Sequence, residues 1–244
     1  IYMEGVKAGR RFLEVCRRVT REKPVLVVKG GSSEAGASAA AFHTGSMSGE
    51  DKIFTAACRQ AGVIRLPDME RLMDTAKALS SQPLPRGNRV AVMHFSGALC
   101  VLASDMIGAK GLEVATLSDD SLRRLRGVTP DWHRIRNPID LIPSIQTYGA
   151  QKAYEVAIDT VIKDERVEAV IVGIGATEGN CPELKEIDLR ADKPLLFNIH
   201  GNKDIMNRIV EYLKEKGLPA YDSMRRAVNV LGDMYQAYKA TIRT

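Results

Sequence analysis

A single histidine, His43, stands in a stretch of small residues that runs from residue 36 to residue 49. The apolar run at residues 24–29 precedes this stretch and is typical of a buried strand, with a glycine–serine turn between the two. Small residues leave backbone N–H groups accessible, and an imidazole is a nucleophile that is neutral near pH 7. The pattern predicts a loop in which a phosphoryl group approaches the ring closely. The alternative is a polar residue on an ordinary glycine–serine loop.

Two turns rich in glycine and serine are candidates for binding the oxygens of that phosphoryl group. They are Gly30-Gly31-Ser32 and Ser96-Gly97-Ala98. The first follows the predicted strand, and the second stands between a predicted strand that ends at His94 and a predicted helix. Backbone N–H groups and the dipole of a following helix attract anions at such a position. The sequence therefore predicts phosphate contacts at both turns, with a plain strand-to-helix turn as the alternative at each.

Other candidate motifs lack a residue that their chemistry requires. Residues 31–38 have the spacing of a P-loop, but Ala37 stands where the phosphate-binding lysine belongs. Residues 94–98 are placed like a nucleophile elbow, yet they lack both outer glycines. A P-loop nucleoside triphosphatase and a serine hydrolase are therefore disfavoured. His133 and His200 are isolated in the sequence, so loop-surface or capping roles are predicted for both, and no metal site is predicted.

Composition is ordinary for a soluble α/β protein of 244 residues, with 45% apolar and 5% aromatic residues. No segment approaches the ~18 consecutive apolar residues of a membrane span, and no signal-peptide pattern opens the chain. Basic and acidic residues interleave, so the net charge of +5 does not indicate a nucleic-acid partner. The four cysteines are far apart, which predicts reduced, mostly buried thiols. We therefore predict a cytoplasmic protein with neither nucleic-acid nor membrane partners.

The elements that must position these residues alternate along the chain between short apolar runs and amphipathic segments. Strands are predicted at 1–3, 24–28, 63–66, 89–93, 112–116, 167–174, 194–199 and 219–221. Helices are predicted at 6–20, 50–60, 68–79, 98–109, 119–126, 149–163, 203–216 and 223–238. This alternation predicts parallel sheets covered on both faces, with ligands at the carboxyl ends of the strands.

A stretch rich in Pro, Gly and Ser at residues 80–87 is the best candidate for a linker. It divides the chain into predicted domains at 1–83 and 84–244. The chain begins in the middle of an element and without a methionine, so we expect residues before Ile1 in the natural protein. The segment 137–140 is predicted to form a turn, and its sequence leaves a structural role and a substrate role equally open.

Several short motifs occur in one order along nearly the whole chain. They are Tyr2-Met3-Glu4-Gly5, Lys29-Gly30-Gly31-Ser32, His43-Thr44-Gly45, Gln60-Ala61-Gly62-Val63, Asn137-Pro138-Ile139-Asp140-Leu141 and Gly217-Leu218-Pro219-Ala220-Tyr221. In this order they resemble the α part of the nucleoside-diphosphate-forming acyl-CoA synthetases. These are the ADP-forming acetyl-CoA synthetases, relatives of succinyl-CoA synthetase. The resemblance implies an α/β fold with two flavodoxin-like, succinyl-CoA synthetase-like parallel-sheet domains, the first incomplete at its N-terminus.

The resemblance also implies an acid–thiol ligase that interconverts acid, CoA and ATP with acyl-CoA, ADP and phosphate. It assigns the phosphorylated residue to His43, the carboxylate that holds the other ring nitrogen to Glu4, and further phosphate contacts to Thr44 and Gly45. CoA and ATP or ADP with Mg²⁺ are then substrates of the complete enzyme, and none is expected to bind tightly to this piece, which should be inactive alone. The implied partners are an ATP-grasp β subunit or domain and a CoA-binding Rossmann domain, in an oligomer.

The chain departs from the family pattern at three places near the predicted phosphate contacts. Phe95-Ser96-Gly97-Ala98 replaces the usual Asn-x-Gly-Gly, Gly31 replaces an arginine, and Phe42 replaces a serine. Each departure removes a hydrogen-bond donor or restricts close approach. The alternative function is therefore a non-catalytic module that senses CoA or another metabolite on the same fold, of the kind fused to protein acetyltransferases.

Overall fold

The computed structural model describes residues 1–44 and 49–242, and at Thr44 it describes the backbone alone. Two predicted phosphate contacts, Gly45 and the side chain of Thr44, therefore lie outside the described residues. The chain folds into two compact units, Ile1–Leu79 with Asp233–Thr244 and Ser80–Gly232. The predicted domain boundary near residue 84 stays a prediction. Within the described ranges, no helix combines the length and the apolar character needed to cross a bilayer.

The first unit contains a parallel sheet of three short strands in the order β1-β2-β3. The strands are β1 (Tyr2–Met3), β2 (Leu26–Lys29) and β3 (Ile64–Leu66). The helices that begin in this unit are α1 (Gly9–Glu22), α2 (Glu34–Thr44), α3 (Asp51–Ala61) and α4 (Met69–Ser81). Because Val28 lies opposite both Tyr2 and Leu66, the carboxyl ends of all three strands meet at one edge of the sheet.

The prediction of a loop around His43 is wrong for the residues that precede it. Residues 34–44 form helix α2, and His43 lies in its last turn. Alanine recurs through this stretch and has the highest helix propensity of all residues, which outweighs the glycine and serine between the alanines. Ser33 begins the helix, because its Oγ accepts a hydrogen bond of 3.1 Å from the N–H of Gly36.

The core of the first unit packs α1 and α3 against one face of the sheet. Phe54, Cys16, Cys58 and Val27 are buried there. Burial raises the pKa of the Cys58 thiol to about 11, so this thiol is a packing group and not a nucleophile.

The second unit contains a parallel sheet in the order β5-β4-β7-β8-β9, with β6 paired to β4 as well. Its strands are β4 (Arg89–His94), β5 (Glu113–Val114), β6 (Ile139–Asp140), β7 (Ala169–Ala176), β8 (Leu195–Gly201) and β9 (Ala220–Tyr221). The helices beyond α4 are α5 (Gly97–Ala109), α6 (Asp119–Arg126), α7 (Ile142–Tyr148), α8 (Ala150–Lys163), α9 (Lys203–Glu215) and α10 (Met224–Thr241), with one 3₁₀ turn at Leu184–Glu186. The predicted α/β class with parallel, flavodoxin-like sheets is confirmed.

Every residue of β7 is buried, as its continuous apolar run predicts. Tyr154 of α8 is fully buried beside it, and its hydroxyl donates a 2.7 Å hydrogen bond to the carbonyl of Gly173. The sequence did not predict β6 or α7. Both are too short to show a period, and α7 begins with a proline in its first turn.

Candidate active site

Glu4 and His43 meet where β1 and α2 end. The Oε1 atom of Glu4 lies 3.7 Å from the Nδ1 atom of His43. The hydroxyl of Tyr2 donates a 3.0 Å hydrogen bond to the same Oε1, and this bond raises the pKa of Tyr2. The side chain of Glu4 is 13% exposed and that of His43 is 79% exposed. The structure thus places a fixed carboxylate at one nitrogen of an accessible imidazole.

Gly30 allows the Tyr2 and Glu4 side chains to pack against the end of β2. A Cβ atom at Gly30 would lie 2.6 Å from the Tyr2 hydroxyl and 3.4 Å from Cγ of Glu4. The N–H of Gly30 donates a 2.9 Å hydrogen bond to the carbonyl of Met3, so it belongs to the sheet. Gly30 therefore contributes space beside the Glu4–His43 pair, whereas the sequence suggested a backbone donor.

Gly31 and Ser32 turn the chain from β2 into α2. Gly31 has a φ of 71°, in the left-handed region that favours glycine, so a side chain there would strain this turn. The Oγ of Ser32 donates a 3.1 Å hydrogen bond to the carbonyl of Lys29. The buried Nζ of Lys29 in turn donates to the carbonyls of Gly30 and Gly31, at 3.4 and 3.2 Å. The buried Lys29 ammonium thus stabilises the main chain of this turn.

Arg65 of β3 is a residue of this region that the sequence reasoning missed. Its guanidinium donates a 3.0 Å hydrogen bond to Ser32 Oγ and holds both carboxylate oxygens of Asp51, at 2.6 and 2.9 Å. These bonds to Arg65 are the main reason that the pKa of Asp51 is lowered. The signal in the sequence is a charged residue in the middle of an apolar run, Val63 to Leu66.

The predicted phosphate contact at Ser96-Gly97-Ala98 belongs to the second unit, at the N-terminus of α5. The N–H of Ser96 donates a 3.0 Å hydrogen bond to Nδ1 of His94. The carboxylate of Asp140 lies beside Gly97, since a Cβ there would be 2.6 Å from Oδ2. A cavity of about 800 Å³ opens next to these residues. The positive end of α5 therefore faces a carboxylate within the folded chain, and an incoming anion would meet that charge.

His94 is fully buried at the carboxyl end of β4. Burial lowers its pKa to about 4, so its ring is neutral near pH 7. Because Nδ1 accepts the Ser96 N–H, the ring proton is on Nε2, which points to Oδ1 of Asn198 at 3.4 Å. The same Oδ1 contacts Nε2 of His200 at 3.0 Å. The capping or loop-surface role predicted for His200 is wrong, because His200 lies within β8 and bonds to a neighbouring strand residue.

The sequence left the role of Asn137 open, and the structure shows its hydrogen bonds. Its Nδ2 donates hydrogen bonds of 2.9 Å to the carbonyls of Val90 and Ala115, and its Oδ1 accepts one of 2.9 Å from the N–H of Val92. The Asn137–Pro138 peptide bond that follows is cis. The amide of Asn137 therefore joins the β4 backbone to the residue after β5, which is a structural role.

Sequence models of two known families match the chain in succession. A succinyl-CoA ligase like flavodoxin domain matches residues 1–79, and a ligase-CoA domain matches residues 90–243. The chain belongs to this ligase-CoA family. The resemblance to the NDP-forming acyl-CoA synthetases of the succinyl-CoA synthetase superfamily is thereby confirmed.

Relatives of this chain include ADP-forming ligases. One is the ADP-forming acetate–CoA ligase II of Archaeoglobus fulgidus, which is 40% identical to this chain. The match covers all of this chain and 36% of the length of that ligase. The α subunit of the ADP-forming acetate–CoA ligase I of Pyrococcus furiosus is 37% identical, over 97% of this chain and 51% of the subunit. The match to an α subunit assigns this chain to the α region of such enzymes.

A solved structure has the same fold over nearly the whole chain. It is the dinucleotide-forming acetyl-coenzyme A synthetase 1 of Ca. Korarchaeum cryptofilum in complex with phosphate and ADP, with a TM-score of 0.87 and 28% identity. The alignment covers 99% of this chain and 53% of that one. Our chain thus spans between about a third and a half of the length of the relatives that it matches.

Proposed function

We propose that this chain is the phosphohistidine-bearing part of an ADP-forming acyl-CoA synthetase and that His43 carries the phosphoryl group. The observation that carries the proposal is the 3.7 Å approach of Glu4 Oε1 to His43 Nδ1. A carboxylate at Nδ1 favours the tautomer with its proton there, and Nε2 is then the nucleophilic nitrogen of the ring. The high exposure of the His43 side chain is consistent with access by a phosphoryl donor.

In the direction of acyl-CoA use, we propose three steps. An oxygen of phosphate attacks the thioester carbonyl, the C–S bond breaks, and CoA leaves as acyl phosphate forms. Nε2 of His43 then attacks the phosphorus of the acyl phosphate, so that an N–P bond forms while the P–O bond to the departing carboxylate breaks. Finally a β-phosphate oxygen of ADP takes the phosphoryl group, the N–P bond breaks, and ATP forms.

Two groups of the chain stabilise the charge that His43 acquires in the second step. A ring bonded to phosphorus at Nε2 and protonated at Nδ1 carries positive charge. The carboxylate of Glu4 faces Nδ1. The last turn of α2, where His43 lies, is the negative end of a helix dipole and also favours a positive ring. We infer that Glu4 acts by holding and neutralising the ring, and that it does not itself exchange a proton with substrate.

The remaining parts of the reaction belong to the complete enzyme. We propose CoA, ATP or ADP with Mg²⁺, phosphate and a carboxylic acid as its substrates, and Gly31, Ser32, Thr44, Gly45 and the Ser96 turn as candidate phosphate contacts. An ATP-grasp β subunit or domain and a CoA-binding Rossmann domain are the proposed partners, in a cytoplasmic oligomer. The activities of the relatives, which are ADP-forming acetate–CoA ligases, support this reaction class.

The test is phosphorylation of the complete enzyme with γ-labelled ATP and Mg²⁺. We expect the chain that contains His43 to gain phosphate that is lost in acid and retained in alkali, as a phosphoramidate is. Peptide mass spectrometry under alkaline conditions should place it on His43, and His43→Asn should abolish it. Labelling that persists in His43→Asn would assign the phosphorylated residue elsewhere.

One observation favours the second candidate function, a non-catalytic sensing module. The carboxylate of Asp140 lies beside Gly97, at the helix end where a phosphate contact was predicted. The two functions differ in turnover. If the complete enzyme forms ATP from acetyl-CoA, ADP and phosphate in a His43-dependent manner, the sensing function is excluded. If it binds CoA without any turnover of acyl-CoA substrates, the synthetase proposal fails.

A further inference from the structure

Arg65 joins the two ends of the chain segment that carries His43. This segment consists of residues 33–50, which follow Ser32 and precede Asp51. One guanidinium, on a third element of the same unit, bonds to both flanking residues. We propose that Arg65 is a positioning residue for phosphoryl transfer, holding both ends of the His43 segment in register. The inference rests on the proposed function of His43 and deepens it.

At the first end, Arg65 acts through the hydroxyl of Ser32. Nη2 of Arg65 donates a 3.0 Å hydrogen bond to Ser32 Oγ, and that hydroxyl donates to the carbonyl of Lys29. The hydroxyl is therefore used in both directions, which fixes the Ser32 rotamer. Helix α2 begins two residues later, at Glu34. Ser32 therefore fixes the chain immediately before Ser33, whose hydroxyl caps the helix that ends near His43.

At the second end, Arg65 holds the first residue of α3. Nη2 and Nη1 bond to Oδ1 and Oδ2 of Asp51, and Nη1 also contacts the main-chain carbonyl of Asp51 and the hydroxyl of Thr55. A two-oxygen contact between a guanidinium and a carboxylate fixes orientation as well as distance. The start of α3 therefore cannot shift relative to β3 without breaking several bonds at once.

The surroundings of Arg65 make the guanidinium difficult to replace. Its side chain is 20% exposed and its Cζ lies 5.4 Å from the centre of the Phe54 ring, a cation–π distance. Nζ of Lys29 lies 3.8 Å from Asp51, so Asp51 already has an ammonium neighbour. A lysine at position 65 would keep the charge but lose the planar fork that reaches Ser32 and Asp51 together. What this site requires is thus the geometry of arginine and not its charge alone.

The guanidinium beside Ser32 comes from a strand residue far along the chain. Gly31 precedes Ser32, and a side chain at position 31 would be strained at its φ of 71°. Arg65 brings a guanidinium to Ser32 from β3 instead. Nη1 and Nη2 of Arg65 both donate to the carboxylate of Asp51. The guanidinium is therefore placed to orient the His43 segment and not to bind phosphate.

The experiment is steady-state kinetics of the complete enzyme carrying Arg65→Lys, with acetyl-CoA, ADP and phosphate as substrates. We expect kcat to fall tenfold or more while KM for phosphate changes less than twofold. Asp51→Asn, a milder change to the same clamp, should lower kcat by at least threefold. Combining the two should cost no more than Arg65→Lys alone, because both remove one interaction. Thermal unfolding followed by circular dichroism gives a temperature at which all variants are folded, and the kinetics are measured there.

A matched control is Arg71→Lys. Nε of Arg71, on α4, lies 2.6 Å from the carboxylate of Asp233, so the two form another partly buried arginine–carboxylate pair of the first unit. This pair does not contact the described residues that flank the His43 segment. We expect this change to lower the melting temperature and leave kcat unchanged. A rise in KM for phosphate in Arg65→Lys would make Arg65 a phosphate ligand and overturn the proposal, as would an unchanged kcat in both Arg65→Lys and Asp51→Asn.

The outcome is separable from that of the proposed function. If phosphate labelling requires His43 and the Arg65 variants retain full kcat, only the positioning role is wrong. If labelling persists in His43→Asn, the proposed function itself is wrong whatever the Arg65 variants show.

Discussion

Oε1 of Glu4 accepts a hydrogen bond from the Tyr2 hydroxyl and lies 3.7 Å from Nδ1 of His43, so one carboxylate oxygen serves both contacts. Glu4 is largely buried and His43 is largely exposed. The carboxylate is therefore the more enclosed partner, and Nδ1 of the accessible imidazole faces it.

Glu4→Gln should slow phosphorylation of His43 in the complete enzyme. The amide keeps the shape of the side chain but loses the charge that stabilises a positive ring. We expect a loss of about tenfold, which corresponds to ~1.4 kcal/mol in the barrier. Rapid-quench labelling with ATP measures the rate. Glu14→Gln, an exposed glutamate on α1, is the control and should label at the normal rate.

Gly30→Ala should disturb the Glu4–His43 pair without removing either residue. The new methyl group would meet the Tyr2 hydroxyl at 2.6 Å, and Tyr2 would have to move together with the Glu4 that it holds. We expect slower labelling of His43 than in the unaltered enzyme. Adding Tyr2→Phe removes the closest atom and should restore part of the rate. No recovery in the double variant would show that the methyl group acts through something other than Tyr2.

Acid should destabilise the second unit through His94. The folded-state pKa of about 4 lies below the ordinary value of 6.5, so between these values the unfolded chain binds a proton that the folded chain does not. The contribution of neutral His94 to the free energy of unfolding is thus fully present above pH 6.5. It is lost as the pH falls towards 4, by up to about 3 kcal/mol. Urea unfolding at several pH values measures this loss. His94→Gln should flatten the curve over that interval, and an unchanged slope would contradict the assignment.

Gly173→Ala should destabilise the same unit by overpacking. A Cβ at Gly173 would overlap the ring of His94, which packs directly against the β7 backbone. Inserting a methyl group into a close-packed core typically costs about 1–3 kcal/mol, and the severity of this overlap indicates the upper part of that range. Combining Gly173→Ala with His94→Ala should recover part of the loss, because the clashing ring is then absent. Thermal unfolding of the unaltered protein, the two single variants and the double variant gives the interaction free energy between the two positions.

Asp140→Asn should tighten the binding of inorganic phosphate near the N-terminus of α5. The change removes a negative charge from beside Gly97 while keeping a side chain of the same size. Isothermal titration of the complete enzyme with phosphate, before and after the change, measures the effect, which we expect to be at least threefold. The control is Asp105→Asn, which removes a charge from the wall of the same cavity farther along α5. Equal gains in both variants would indicate a general charge effect.

Much of the fold was predictable because apolar runs and amphipathic periods are local properties of the chain. The buried strands β4 and β7 follow from short apolar runs, which are typical of parallel strands covered on both faces. The order of the short motifs was sufficient to indicate the family, which the comparisons then confirmed. Helix α2 was missed because its composition of alanine, glycine and serine is compatible with either a loop or a helix.

The sequence by itself determined the parallel α/β class, the family and the candidacy of His43, since each rests on residue type and spacing along the chain. Only the tertiary structure decided that Glu4 faces Nδ1 of His43, that Arg65 links Ser32 to Asp51, and that Asp140 lies beside Gly97. The physical reason is the same in each case. These contacts join residues of different elements and turns, and their distances depend on strand order and register, which no local pattern encodes.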